Sequence, residues 1–145
     1  MATTLQPVLN SMNTDTLQAA LADYFAPWVQ ALALKVESFT AESVLLRLPQ
    51  GDQLSRVGGM LCGQAMMAAA DSAMVLALIN HFGEFRPCTT VQFSSSFLKP
   101  LSAQDALIEA KVVRAGKALA FGEIDIRGAR DGKSVCRAST TYALL

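Results

Sequence analysis

A run of 26 residues, Val57 to Phe82, contains no lysine or arginine and limits the possible folds of this chain more than any other segment. From Cys62 to His81, nearly every position is Ala, Met, Leu, Val or Ile. A helix that is apolar on all sides is buried, either in a membrane or in a protein core. Asp71 stands at its middle, and a carboxylate at the centre of a bilayer costs roughly 2.5–3.5 kcal/mol. The segment therefore predicts a buried helix of a soluble protein, not a membrane span.

The composition fits one folded and electrically neutral protein. The chain has 145 residues, of which 52% are hydrophobic and 17% charged, so it is too apolar for disorder, and residues 1–145 are expected to form one domain. Twelve basic residues balance twelve acidic ones, so we expect neither a nucleic-acid nor a membrane partner. The positive mean hydropathy indicates apolar surface for self-association, and a core rich in alanine and leucine is the alternative explanation.

Charge is distributed unevenly along the chain. Residues 1–85 contain three basic and seven acidic side chains, whereas residues 86–145 contain nine basic and five acidic ones. The basic C-terminal part favours a phosphorylated small molecule as a ligand. Ordinary solvated strand faces explain the same pattern equally well.

The cysteines and the N-terminus indicate the cytoplasm. Cys62, Cys88 and Cys136 are odd in number, widely spaced and free of any CxxC motif, which is typical of a reducing compartment and not of a zinc site. Met1–Pro7 has no basic stretch followed by an apolar run, so we expect no secretory signal. With His81 as the single histidine, no metal site is expected.

The remaining patterns predict an α+β protein. An N-terminal helix is expected over about residues 14–30, with Asp15 as its N-cap and a kink or end at Pro27. Alternating apolar residues and turn signals predict six strands around the buried helix. The predicted strands are Leu32–Ser38, Ser43–Leu48, Thr89–Leu98, Ala106–Val113, Leu119–Arg127 and Ser134–Ala143. Short turns between the last three favour antiparallel hairpins, and the whole predicts an antiparallel sheet curled over one central helix.

Two features of the apolar segment carry the candidate chemistry. Asp71 lies among apolar neighbours, where a carboxylate is unfavourable unless it is paired or solvated, so it either has a structural bond or serves a function. Gly63 stands at the predicted helix start, where free backbone N–H groups favour an anion or a polarised carbonyl oxygen. About 12 Å of helix separates the two, so they can act on one atom only across two subunits.

A series of short motifs extends this pattern. The segment Gly59-x-x-Cys62-Gly63-x(7)-Asp71 is followed by Thr89-Thr90-Val91, Phe97–Pro100, Val113–Lys117 and Asp131–Lys133. Their order and spacing resemble the hotdog-fold acyl-CoA thioesterases of the phenylacetate (PaaI-type) group. The resemblance covers about residues 33–143 and leaves the N-terminal helix as an addition.

The resemblance implies that the protein hydrolyses an acyl-CoA to a free acid and CoA, without metal or cofactor. It also implies a homodimer or a dimer of dimers, in which two sheets lie side by side and the site lies at the interface. In that family, the backbone N–H matching Gly63 polarises the thioester carbonyl. The carboxylate matching Asp71, from the other subunit, acts as general base or nucleophile, and the hydroxyl matching Thr90 holds the water.

The sequence departs from this family pattern next to the helix start. The family's His-Gly-Gly is Cys62-Gly63-Gln64 here, and the Asn that lies six residues before that His is matched by Arg56. Arg56 is therefore a candidate to pair with Asp71 across the interface and neutralise it. The alternative function left open is a non-catalytic acyl-CoA or fatty-acyl binding protein.

The residues predicted to bind substrate are Arg56, Cys62, Gln64, Met67, Lys99, Arg114 and Lys117. Lys99, Arg114 and Lys117 would meet CoA phosphates as point charges, and solvated turns are the alternative. Met67 would line an acyl pocket, and core filling is the alternative. Cys62 is either a reactive thiolate at a helix N-terminus or a small buried side chain.

Overall fold

The apolar segment forms one long helix in the computed structural model, which describes residues 12–145. This helix, α3 (Gly63–Phe82), has eleven buried residues. It ends at Gly83, whose left-handed backbone (φ 77°) lets its N–H donate to the carbonyl of Ile79. By length and composition the helix could cross a membrane, but most of it is buried inside the protein, as the sequence predicts for a core helix.

Six antiparallel strands and two short N-terminal helices surround α3. In chain order the other elements are α1 (Thr14–Tyr24), α2 (Pro27–Gln30), β1 (Lys35–Phe39), β2 (Ser43–Leu48), β3 (Cys88–Phe97), β4 (Ala106–Ala115), β5 (Leu119–Gly128) and β6 (Ser134–Leu144). The strand order across the sheet is β1-β2-β4-β5-β6-β3. The predicted α+β arrangement, with a sheet wrapped around one helix, is confirmed.

The hairpins expected in the C-terminal part are present, and β3 closes the far side of the sheet. Strands β4, β5 and β6 pair in sequence order through short turns. Strand β3 pairs not with its neighbour in sequence but with β6, in a register that places Thr90 beside Tyr142. This pairing brings the middle of α3 next to the start of β3.

The N-terminal predictions need two corrections. The N-cap is Asn13 and not Asp15, because the Asn13 side chain accepts a hydrogen bond from the backbone N–H of Thr16 at 2.8 Å. Helix α1 ends at Tyr24, and Pro27 opens a separate turn at a position where its missing N–H costs nothing. The expectation for Met1–Pro7 lies outside the described residues.

The first strand starts later than predicted, at Lys35 and not at Leu32. The residues after α2 form a tight turn in which Ala33 has a positive φ of 58°, so the chain cannot yet be extended. Leu32 and Leu34 are nevertheless buried, so the apolar alternation that suggested a strand reflects a loop packed on the core.

The two edges of the sheet differ in whether another element covers them. The β1 edge is covered by α1, where the Gln18 side chain donates to the Leu34 carbonyl and accepts from the Val36 N–H at 3.0 and 2.8 Å. Within residues 12–145, no element covers the outer edge of β3. Its two faces are largely exposed, and Val91 and Phe97 are both about half exposed. An open edge of ten residues is a surface on which another strand can pair.

Strand β5 packs closely on α3 at Gly122. A Cβ atom built there would overlap Sδ of Met74, a side chain that is fully buried. The absence of a side chain at this position is therefore what lets β5 pack on the helix.

We expect Gly122→Ala to lower the free energy of unfolding by about 1–3 kcal/mol, the usual cost of overpacking a core. Chemical denaturation at one fixed protein concentration measures the change. Gly51→Ala is the matched control, because nothing lies within 4 Å of a Cβ at Gly51, and its stability should stay near that of the wild type. Equal stability of Gly122→Ala and Gly51→Ala would contradict the close contact between Gly122 and Met74.

Candidate functional site

Asp71 is held by hydroxyl groups and not by a cation. The Thr90 hydroxyl on β3 donates to Asp71 Oδ1 at 2.9 Å, and the Tyr142 hydroxyl on β6 donates to the same oxygen at 2.5 Å. Within residues 12–145, Asp71 takes part in no ion pair. The half-buried carboxylate thus has neutral hydroxyl donors as its hydrogen-bond partners.

Tyr142 is a member of this site that the sequence analysis did not find. It is among the largest fully buried side chains, and its hydroxyl also lies 3.3 Å from the backbone carbonyl of Asp71. Burial, followed by the charge of Asp71 and the hydrogen bond to it, raises the pKa of Tyr142 far above its usual range, so the phenol stays protonated. The signal in the sequence was the alternation of β6, which points Tyr142 into the core, where a tyrosine hydroxyl needs a partner.

Gly63 is the first residue of α3, so its backbone N–H has no acceptor within the helix. It lies beside a groove of about 390 Å³ that runs from Arg56 to Pro100 and includes Phe97 and Lys99. The Phe97 ring covers Gly63, since a Cβ built on Gly63 would touch the ring at 3.4 Å. The helix start therefore opens onto a groove with an aromatic wall and two cationic side chains at its rim.

The candidate functional groups lie on a side of α3 that the sheet leaves uncovered. The incompletely buried residues in the first four turns of the helix form a stripe, consisting of Gly63, Gln64, Met67, Ala68, Asp71 and Val75. This stripe lies beside β3, because Asp71 is bonded to Thr90 and Gly63 lies against Phe97. The candidate site therefore extends along the open edge of the sheet.

The predicted site residues form two groups at opposite ends of β3. Arg56, Gly63 and Lys99 share the groove next to Phe97. Asp71 and Thr90 lie near the other end, about 20 Å or more along the strand. The β4–β5 turn with Arg114 and Lys117 belongs to this second end, because Ala118 and Leu119 bond and pair with the last residues of β6. Within one chain the structure does not bring all of them together.

The three remaining predicted residues flank the helix start. Cys62 is the N-cap position without a side-chain capping bond, and it packs partly buried against the core. Gln64 is exposed, and Met67 is 38% exposed, so Met67 is not a core residue. Arg56 is exposed and donates to the neighbouring Val57 carbonyl at 3.2 Å.

All three cysteines are free, and the thiol pKa is raised in two of them. Burial raises the pKa of the Cys136 thiol to about 11. Burial and, to a smaller degree, the negative charge of Asp71 raise the pKa of the Cys88 thiol. Among the described residues, no group of three or more His, Cys, Asp or Glu side chains is arranged to hold a metal ion.

Structural neighbours share this architecture along nearly the whole chain. The structure of thioesterase HI1161 from Haemophilus influenzae superposes with a TM-score of 0.83 at 18% identity and covers 93% of this chain and 92% of its own. Mouse thioesterase superfamily member 2 superposes with a TM-score of 0.82 at 22% identity, over 93% of this chain and 99% of its own. These likenesses confirm the hotdog fold.

Sequence comparison leads to the same group of proteins. A protein of Saccharolobus solfataricus that carries the name "Putative esterase SSO2140" is 28% identical over 114 residues, which are 79% of this chain and 80% of the relative. Membership of the PaaI-type subgroup stays a prediction. The sequence model of the thioesterase superfamily matches residues 58–135, which include α3 and β3, and the chain therefore belongs to the thioesterase superfamily.

Proposed function

We propose that the protein hydrolyses acyl thioesters, with Asp71 as the general base. The observation that carries this proposal is a carboxylate fixed by two hydroxyls in the middle of an apolar helix, on a side of that helix that residues 12–145 leave uncovered. Asp71 would take a proton from water as the water oxygen attacks the carbonyl carbon. The carbon–sulfur bond then breaks, and the thiolate leaves and is protonated, which yields a free acid and a thiol.

The oxyanion donor in this proposal is the Gly63 N–H at the start of α3. A backbone N–H at a helix N-terminus is fixed in place and favours the negative charge that develops on the thioester oxygen. Because about 12 Å of helix separates Gly63 from Asp71, the donor for Asp71 comes from the partner subunit's Gly63.

Pairing of two subunits along the open edge of β3 would form such a shared site. Two copies of β3 that pair in antiparallel fashion would place the Phe97 end of one strand beside the Thr90 end of the other. Because Phe97 covers Gly63 and Thr90 is bonded to Asp71, this pairing would unite the two halves of the site. It would also close the exposed edge. The proposed assembly is a homodimer, or a dimer of dimers.

An acyl-CoA fits the groups that this pairing would collect. The groove beside Gly63 has apolar walls that suit an acyl chain or the pantetheine arm. Arg56 and Lys99 at the groove, and Arg114 and Lys117 at the other end of β3, take part in no ion pair within residues 12–145. Four unpaired cations around one site favour the phosphates of CoA. Cys62, Gln64 and Met67 would line the entrance beside the helix start.

Replacement of the base tests the proposal first. We expect Asp71→Asn to lower kcat by about 10²–10⁴, because a positioned general base contributes that factor. A free-thiol assay over aryl, short-chain and long-chain acyl-CoAs gives the rates. Asp23→Asn, an exposed acid on α1, is the control and should keep full activity. Full kcat of Asp71→Asn on every substrate of the wild type would refute the mechanism, whereas binding without turnover in the wild type would favour the non-catalytic binding protein.

The oxyanion donor is removed most cleanly by Gly63→Pro. Proline is tolerated at the first residue of a helix and lacks the N–H, while Gly63→Ala adds a similar contact to Phe97 and keeps the N–H. We expect Gly63→Pro to lower kcat about 10²–10³-fold relative to Gly63→Ala. Equal kcat values in the two variants would exclude the Gly63 N–H as the donor.

Mixing the two inactive variants tests whether the site is shared. In a dimer of one Gly63→Pro and one Asp71→Asn subunit, one site has both defects and the other has neither. Random mixing after unfolding and refolding should therefore recover about a quarter of the wild-type activity per subunit. A site within one chain would give no recovery, which is the outcome that contradicts the shared site.

Cys88 can report whether Asp71 is ionised at neutral pH, as a general base must be. The negative charge of Asp71 contributes to the raised pKa of the Cys88 thiol. Asp71→Asn removes this charge, so the Cys88 pKa should fall, the thiolate fraction should rise and alkylation should be faster. Mass spectrometry of iodoacetamide labelling at pH 8 measures the rate, with buried Cys136 as the internal reference. An unchanged Cys88 rate would argue against an ionised Asp71.

A further inference from the structure

The two oxygens of the Asp71 carboxylate have different surroundings. Oδ1 receives both hydrogen bonds, from Thr90 at 2.9 Å and from Tyr142 at 2.5 Å. Within residues 12–145, Oδ2 receives none, and it is not among the buried polar atoms that lack a partner, so it is open to solvent. The carboxylate is therefore oriented, with one oxygen toward the sheet and the other outward.

Of the two residues that donate to Asp71, Tyr142 is held in place more rigidly than Thr90. It is 1% exposed, whereas Thr90 is an exposed residue of the sheet edge. Its hydroxyl lies within 3.3 Å of the Asp71 backbone carbonyl as well as at Oδ1, so it fixes both the helix turn and the side chain of Asp71. The hydroxyl of Thr140, two residues earlier on the same face of β6, is buried and has no hydrogen-bond partner among the described residues.

We propose that Tyr142 is a positioning residue that holds Oδ1 of Asp71 and so assigns Oδ2 as the oxygen that takes the proton from water. This role rests on the proposed function of Asp71. The Tyr142 hydroxyl does not touch the substrate, because it is enclosed between β6 and α3. It acts by fixing the rotamer of Asp71 and by stabilising the ionised carboxylate through a hydrogen bond.

The groups that face Asp71 are few, which makes the effect measurable. From β3 these are Thr90 and the thiol of Cys88, and from β6 the phenol of Tyr142. Asp71 itself lies on a helix whose described residues include no other carboxylate and no lysine or arginine. Loss of the Tyr142 hydroxyl therefore removes one of the two hydrogen bonds that the Asp71 carboxylate accepts from the described residues.

The first measurement follows the carboxyl group directly and needs no enzyme activity. The side-chain ¹³C signal of Asp71, assigned by its loss in Asp71→Asn, is titrated by NMR in the wild type, Tyr142→Phe and Tyr24→Phe. Tyr24 is the exposed second tyrosine of the chain and provides the matched control. We expect the midpoint to rise in Tyr142→Phe, since a lost hydrogen bond disfavours the charged form, and to stay unchanged in Tyr24→Phe. Equal midpoints in the wild type and Tyr142→Phe would overturn the proposal.

The second measurement is the pH dependence of thioester hydrolysis. In Tyr142→Phe, kcat should fall about tenfold with KM nearly unchanged, and the acid limb of kcat/KM should move to higher pH in parallel with the NMR midpoint. A tyrosine that only filled the core would change the melting temperature and leave the pH profile in place. Wild-type kcat in Tyr142→Phe would overturn the positioning role even if the NMR midpoint moved.

A variant that keeps the shape of the core excludes misfolding as the cause of a changed midpoint or rate. The chain has two tyrosines, so 3,5-difluorotyrosine incorporated into Tyr24→Phe labels Tyr142 alone. The more acidic phenol is a stronger donor, so the midpoint and the acid limb should both move to lower pH, opposite to the shift in Tyr142→Phe. No shift, or a shift to higher pH, would overturn the proposal.

These outcomes separate the two proposals. If Asp71→Asn retains full kcat, the proposed function of Asp71 fails while the titration still decides whether Tyr142 holds the carboxylate. If Asp71→Asn is inactive and Tyr142→Phe behaves as the wild type in both measurements, only the role of Tyr142 fails.

Discussion

The structure depends on accommodating one carboxylate in an otherwise apolar helix. Asp71 sits in α3 without a counter-ion among the described residues, and its stabilisation comes from two hydroxyls on different strands. Both strands must therefore reach the same turn of the helix. The pairing of β3 with β6, which lie far apart in sequence, achieves this because Thr90 and Tyr142 are direct partners in the register. The residue proposed as the general base is thus also bonded to both strands.

The same geometry explains why the site faces an open edge. An ionised carboxylate needs water or a polar substrate, so the sheet cannot cover α3 completely. The uncovered stripe that contains Asp71 lies beside β3, whose two faces are exposed, while the opposite edge of the sheet is covered by α1. Within residues 12–145, the candidate site and the uncovered edge of β3 therefore lie on the same side of the protein.

Much of this could be predicted from the sequence, and the failures have identifiable causes. Periodicity and turn residues gave the six strands, the core helix and the hairpins, and the position of Asp71 within an apolar run marked it as a candidate. The predicted N-cap and the predicted start of β1 were wrong, since the N-cap is Asn13 and the strand begins after a turn at Ala33. Such local turn geometry, including the positive φ of Ala33, cannot be recognised from residue types alone. The alternation of β6 indicates that Tyr142 is buried, but its bond to Asp71 depends on the long-range register of β3 and β6, which no local pattern encodes.

The order of the elements also has a consequence during synthesis. Only β1 and β2 precede α3, whereas β3 to β6 follow it, so the helix is complete about 60 residues before its cover. At about 5–20 residues per second, this leaves the helix covered only by the elements that precede it for some seconds at the ribosome. By length and hydropathy the segment resembles a membrane span, and Asp71 is its only charged residue besides His81 when protonated. The carboxylate at the centre of the site is thus also the feature that disfavours insertion of the nascent helix into a bilayer.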